Sequence, residues 1–200
     1  MRRIRELGRR LRQDERGYTL VELLTVIVIL GIVMQGLTTI FVSASNAQVD
    51  MQNRFQAQQT ARVALDKIRR EVHCASDAGA TAANTQVSLV TLSLPTYCKT
   101  YSGSPTVTWC TRSVATNKYA LYRINAASAS CTGGVKWADD LVATTTAPAC
   151  SGALCVFNYQ TGSGMLARLH VDFPVNVKPA KTVEKYELIN DVVLRNSARP

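Results

Sequence analysis

Arg16-Gly17-Tyr18-Thr19-Leu20-Val21-Glu22 joins a basic leader to an apolar run that continues to Val42, interrupted only by Glu22, Gln35, two glycines and scattered threonines. As a helix rising 1.5 Å per residue, the run is about 37 Å long and spans a bilayer with some tilt. Upstream, Arg2, Arg3, Arg5, Arg9, Arg10, Arg12 and Arg16 outweigh Glu6, Asp14 and Glu15. That excess of arginine fixes the leader in the cytoplasm and sends everything after Val42 across the membrane. Glu22 is the anomaly, because an ionised side chain deep in lipid costs roughly 2.5 to 3.5 kcal/mol on insertion scales. Something must neutralise it.

The stretch Gly17-Tyr18-Thr19-Leu20-Val21-Glu22-Leu23-Leu24 resembles the processing site of type IV prepilins and pseudopilins. In that family a basic leader ends in glycine, an aromatic residue follows, and glutamate is the fifth mature residue. The resemblance implies that a membrane-embedded prepilin peptidase cuts between Gly17 and Tyr18 and N-methylates the new amine. Tyr18 stands where phenylalanine is usual and keeps the ring. A freed α-amino group titrates near 7.7 to 8.0, so it is mostly cationic at neutral pH. The resemblance then pairs Glu22 with the Tyr18 amine of a neighbouring subunit, which sets the register of a filament. The rival is that Glu22 faces its own helix N-terminus, which is favourable by roughly 0.3 to 1 kcal/mol. That gain is smaller than the insertion cost.

Two other readings of the N-terminus compete. A secretory signal would be cut after Val42-Ser43-Ala44 or Ser45-Asn46-Ala47, but its apolar stretch runs only about 7 to 15 residues. An uncleaved anchor leaves the Gly17-Tyr18 junction without a purpose.

Of the formal charge of +9, the leader supplies +4 through seven arginines against three acids. The remaining +5 gives little support to nucleic-acid binding. Cys74, Cys98, Cys110, Cys131, Cys150 and Cys155 all lie beyond the membrane run, in the compartment where disulfides persist. Three bridges are open to them, in fifteen connectivities. Cys150 with Cys155 would close a short loop, and Cys98 with Cys110 would staple a strand pair. Without a CxxC pair, and with only His73 and His170 to assist, a zinc site is not expected.

From Ser43 to Cys74 the pattern stays helical but turns polar, with Met51, Phe55, Ala61, Leu65, Ile68 and Val72 on one narrow face and Gln58 closing a gap. The expectation is one helix from Tyr18 to about Cys74. Gly31 and Gly36 each weaken it by about 1 kcal/mol relative to alanine. Thr38 and Thr39 stand where many major pilins carry proline, which points the resemblance toward a minor pilin or pseudopilin. Ala61 to Val72, and Val192-Val193-Leu194-Arg195-Asn196, are loosely similar to minor pilins and J-type pseudopilins.

After Ala75 short alternating runs take over. Val87 to Leu94 changes phase at Leu89-Val90, which suggests a bulge. Val107 to Trp109, Tyr119 to Ile124, Val156 to Tyr159, Leu169 to Val177 and Tyr186 to Leu194 are further strands, with Gly133-Gly134 and Gly162-Ser163-Gly164 as turns. In Leu169 to Val177 the odd positions face a core, and Pro174 on the other face marks an edge or bulged strand. The fold class is α+β: a long N-terminal helix packed on an antiparallel β-sheet. The segments are a leader (1–17), a membrane half-helix (18–42), an amphipathic half-helix (43–75) and a disulfide-bonded β-rich domain (76–200).

Catalysis is not expected. His170 and Asp172 share a strand face, where a structural or solvated histidine is expected rather than a catalytic one, His73 complements the helix C-terminus, and no phosphate loop, HExxH or nucleophile elbow occurs. The expected partners are prepilin peptidase, other pilin or pseudopilin subunits and the cytoplasmic membrane, with no cofactor, metal or small-molecule substrate. The competing function is a secreted or anchored disulfide-bonded binding domain.

Overall fold

The computed structural model describes residues 18–80, 83–99, 103–162, 165–179 and 185–196. The leader, Gly17 included, lies outside the described residues, as do Ser163 and Gly164. Two compact units divide between Asp50 and Met51.

Helix α1 runs unbroken over Leu20–Cys74. Thr19 starts it: the Glu22 amide donates to Thr19 Oγ1 at 3.3 Å and the Leu23 amide to the Thr19 carbonyl at 3.1 Å. This is N-capping at the Thr-x-x-Glu spacing of a capping box. Within the apolar run the hydroxyls of Thr25, Thr38 and Thr39 donate to the carbonyls of Glu22, Met34 and Gln35 at 2.7 to 2.9 Å. These three hydroxyls are thus satisfied within the helix, as a lipid environment requires.

In the second unit α1 buries Ala57, Ala61, Ala64, Leu65, Ile68, Glu71 and Val72. The contact row therefore differs from the expected one, since Met51 and Phe55 are 69% and 64% exposed. Steps of four and three through Ala57, Ala61, Ala64, Ile68 and Glu71 describe the buried row.

The sheet comprises β1 (Asp77–Ala80), β2 (Gln86–Val87), β3 (Leu89–Ser93), β4 (Thr106–Ala115), β5 (Lys118–Ile124), β6 (Val135–Leu141), β9 (Phe157–Gly162), β10 (Met165–Val175) and β11 (Tyr186–Val193). A small hairpin of β7 (Ala149–Cys150) and β8 (Ala153–Leu154) forms a separate two-stranded sheet held to β4, where the Leu154 amide donates to Thr111 Oγ1 at 2.9 Å. All pairings are antiparallel, in the order β1-β3-β4-β5-β6-β10-β9-β2 with β11 on β10. A bend at Ser88 separates β2 from β3, so Val87 points inward on one side of it and Val90 and Leu92 on the other. That bend absorbs the phase change in the sequence.

Leu169, Val171, Phe173 and Val175 of β10 are all buried. Of the two readings drawn from Pro174, the edge is corrected, because β10 is flanked by β11 along one side and by β9, then β6, along the other, and the register shift of β10 against β9 lies between Met165 and Arg168, away from Pro174. β9 pairs only as far as Val171, and β6 takes over at Val175. The Pro174 carbonyl accepts from the Val142 amide at 2.9 Å on that same side. A strand residue aims its nitrogen and carbonyl at one edge, so the missing N–H of Pro174 falls where β9 has ended.

The core joins the helix row to Val90, Leu92, Val107, Trp109, Leu121, Leu141, Phe157, Phe173 and their neighbours. Trp109 meets Trp137 edge-on, with ring centroids 5.7 Å apart. Three disulfides connect Cys74 with Cys98, Cys110 with Cys131 and Cys150 with Cys155. The last closes the short loop read from the sequence, whereas the Cys98 to Cys110 staple is not formed. Cys110 lies on the outer face of β4 in a small cluster with Ala120 and Tyr122.

Candidate functional site

Tyr18 and Glu22, the sequence-derived assembly residues, flank the start of α1, and both are exposed in the single chain. Thr19 lies between them. Its cap places Glu22 in the first helical turn, where a carboxylate faces the positive end of the helix dipole. Periodicity alone passed over Thr19, although the Thr-x-x-Glu spacing signals it. From Leu20 the helix is long and apolar enough to cross a membrane by length and composition.

At the other end of α1 the charge is buried. Glu71 has no exposed surface and Arg123 is 8% exposed. Glu71 Oε1 accepts from Arg123 Nε at 2.9 Å and lies 2.8 Å from Arg123 Nη2, while Trp109 Nε1 donates to Oε2 at 2.7 Å. Lys67, one turn earlier, approaches Oε1 at 3.3 Å. Trp109 and Arg123 are a cross-strand pair of β4 and β5, so one carboxylate pins the helix to two strands. Such a group is tolerated only when its lone pairs are filled, as they are here.

Beyond the Glu71 anchor the helix end is secured by β11 and the residues after it. Asn196 Nδ2 donates to the Cys74 carbonyl at 2.9 Å, and His73 Nδ1 lies 3.1 Å from the Val193 carbonyl. Arg62 Nη2 donates to the Tyr186 hydroxyl at 2.7 Å. These contacts tie the helix to both ends of β11 and to Asn196 beyond it. Cys74 adds the covalent link to Cys98.

His170 and Asp172 share a face of β10 without forming a pair. His170 Nδ1 instead meets Asp191 Oδ1 of β11 at 2.6 Å. Asp172 is fully buried, and neither of its oxygens meets a donor with hydrogen-bond geometry. The Thr146 hydroxyl and the Glu187 carboxylate lie near enough to act on it. Burial holds the Asp172 carboxyl above the usual carboxylate range, and the negative charge of Glu187 adds to that. Glu187 is held below its ordinary value, chiefly by the Thr146 hydroxyl and against the effect of its own burial.

Comparison with known proteins bears on the N-terminal segment. Residues 12–37 match the family model described as the prokaryotic N-terminal methylation motif. The chain is type IV prepilin-like. Its motif spans Gly17, Tyr18 and Glu22 and runs into α1, and the long helix followed by an antiparallel sheet gives this prepilin-like protein a pilin-like α+β fold. No curated protein and no solved structure matches the chain. The motif indicates a structural, membrane-anchored protein of the pilin type, which implies processing by prepilin peptidase and assembly with other pilins.

Proposed function

We propose that the chain is a minor pilin or pseudopilin, a structural subunit of a type IV pilus or of a filament like that of type II secretion. The carrying observation is the methylation motif at residues 12–37, in register with the start of α1. Peptidase cleavage after Gly17 removes the arginine-rich leader and frees the Tyr18 amine. Before assembly the protein crosses the cytoplasmic membrane once, through residues 18–42, with the domain from 76 onward exported.

The mechanism is electrostatic. Cleavage creates a cation at Tyr18 next to the Thr19 cap, while Glu22 of another subunit carries the matching anion into the same apolar layer. In that low-dielectric medium the attraction far exceeds its value in water. The local alternative offers Glu22 only the dipole of its own helix, about 0.3 to 1 kcal/mol. The intermolecular pair offsets more of the insertion cost and fixes the axial position of each incoming subunit.

Mass spectrometry of the mature N-terminus, after expression with a prepilin peptidase, is the test. A chain beginning with N-methylated Tyr18 is expected. A chain starting at Ser45 or Gln48 would instead identify a secreted disulfide-bonded binding domain, and an intact leader a permanent anchor.

A further inference from the structure

Glu22 is not alone among polar side chains in the apolar run. Gln35 stands seven residues before Val42, about 10 Å inside that end of the run. The hydroxyls of Thr25, Thr38 and Thr39 turn back to their own helix, and the main-chain carbonyl of Gln35 is the acceptor for Thr39. Among the described residues nothing bonds to the Gln35 side-chain amide, which is exposed in the single chain. Cα–Cβ bonds tilt toward the helix N-terminus, so this amide leans into the lipid layer and away from its nearer surface. A carboxamide left unpaired in hydrocarbon is costly, and polar side chains at such depth turn toward another helix.

The face that carries Gln35 repeats in alternating steps of four and three, through Leu24, Val28, Gly31, Gln35, Thr38 and Val42. A seam with a period of about 3.5 residues is the one along which two helices supercoil left-handedly, knobs into holes. Gly31 lies one turn before Gln35, and a Cβ there would meet nothing within 4 Å, so the helix offers a flat place for a close neighbour. Gly36 falls off this face. A single amide among apolar and small seam positions is the device that fixes register and helix number in coiled coils.

We propose that two copies of this chain pair in the membrane as a parallel dimer along this seam, with the two Gln35 carboxamides hydrogen-bonded to each other. The carboxamide is self-complementary, since each side chain offers an N–H to the other's carbonyl. Identical chains inserted in the same sense also hold Gln35 at one depth. A helix of different sequence matches it only by carrying a polar group at that level. The Glu22 pairing with a neighbouring Tyr18 amine needs an axial offset of four residues, about 6 Å, whereas the Gln35 pairing needs none. The two contacts therefore exclude one another between the same two helices. The dimer rests on the membrane-anchored reading and not on the filament reading.

The test is oxidative cross-linking of the full-length protein in phosphatidylcholine vesicles, with one cysteine introduced at a time. All six native cysteines are engaged in disulfides, so the new thiol stands alone. Val28→Cys and Thr38→Cys, on the seam, should form linked dimers, and Val26→Cys and Ile40→Cys, on the far side, should not. In the Val28→Cys background, Gln35→Leu should raise the protein-to-lipid ratio at half-maximal cross-linking about three- to thirtyfold, the range that interhelical hydrogen bonds span in membranes. Alkaline carbonate extraction of the same vesicles reports insertion separately. Inserted protein that cross-links equally at all four positions, or at none, overturns the dimer and leaves the membrane anchor standing. A Gln35→Leu variant that dimerises like its parent does the same. Val28→Cys dimers that a co-reconstituted, cysteine-free prepilin disperses would give the seam to that other helix and likewise overturn the proposal. Protein stripped from the vesicles by carbonate overturns the anchor, and the dimer with it.

Discussion

Glu71 takes a formal charge into the helix–sheet interface and is met there by the Arg123 guanidinium and the Trp109 indole. A buried ion pair of this kind adds little net stability over well-packed apolar residues, but removing one partner strands the other and costs about 3 to 5 kcal/mol. Glu71→Ala should lower stability by that amount in denaturant unfolding followed by tryptophan fluorescence. Glu71→Met with Arg123→Leu should recover most of it. Nothing in the sequence singles out Glu71, because its partners arrive from strands far along the chain and leave no trace in local periodicity. Tyr159 supplies the pH dependence at this scale. Burial raises its phenol above the ordinary value of 10.0, with the charge of Asp77 adding to it. A raised folded-state pKa gives stability that is complete below the unfolded value and lost as pH rises through the folded one. Tyr159→Phe should flatten the fall of Tm above about pH 10.

At the scale of elements, the helix was legible almost to its ends, since period and the absence of proline mark it, and only the Thr19 cap moved its start from Tyr18 to Leu20. Its buried face was less legible. A row drawn through the bulky residues passes through Met51 and Phe55, whereas the observed contacts run through Ala57 and Ala64, small residues that a hydrophobicity pattern underweights. The strands β2 to β5 and β9 to β11 were found, but β1, β6, β7 and β8 were not, nor the way β9 and β6 share one side of β10, because alternation fixes a residue's face and says nothing of its neighbours. The Asp172 environment was hidden for the same reason. The Gly133-Gly134 turn separates two kinds of glycine. Both have positive φ, 78° and 81°, but a Cβ on Gly134 would stand 2.7 Å from the Arg123 carbonyl oxygen, whereas one on Gly133 meets nothing within 4 Å. Gly134→Ala should therefore cost clearly more than the backbone penalty of about 1 kcal/mol expected of Gly133→Ala, as read by paired thermal melts. Replacing Cys74 and Cys98 by serine should cost about 2 to 4 kcal/mol by releasing the helix end from the chain after β3.

For the whole molecule, the motif at residues 12–37 and the sheet domain answer separate questions, and only the first carries a family signature. If Glu22 acts between subunits, Glu22→Ala should still be cleaved and methylated at Tyr18 yet enter filaments poorly. Immunoblots of sheared filaments against the membrane fraction would show this, and normal incorporation would remove the case for the pair. The contacts of Asn196 and Val193 with Cys74 and His73 also set a timetable. A ribosome makes the helix before its clasp, so if the domain is exported as proposed, the helix end stays unlatched until Asn196 has crossed the membrane. Disturbance near Asn196 should therefore register first as a loosened helix tip, at a site the chain left more than a hundred residues earlier.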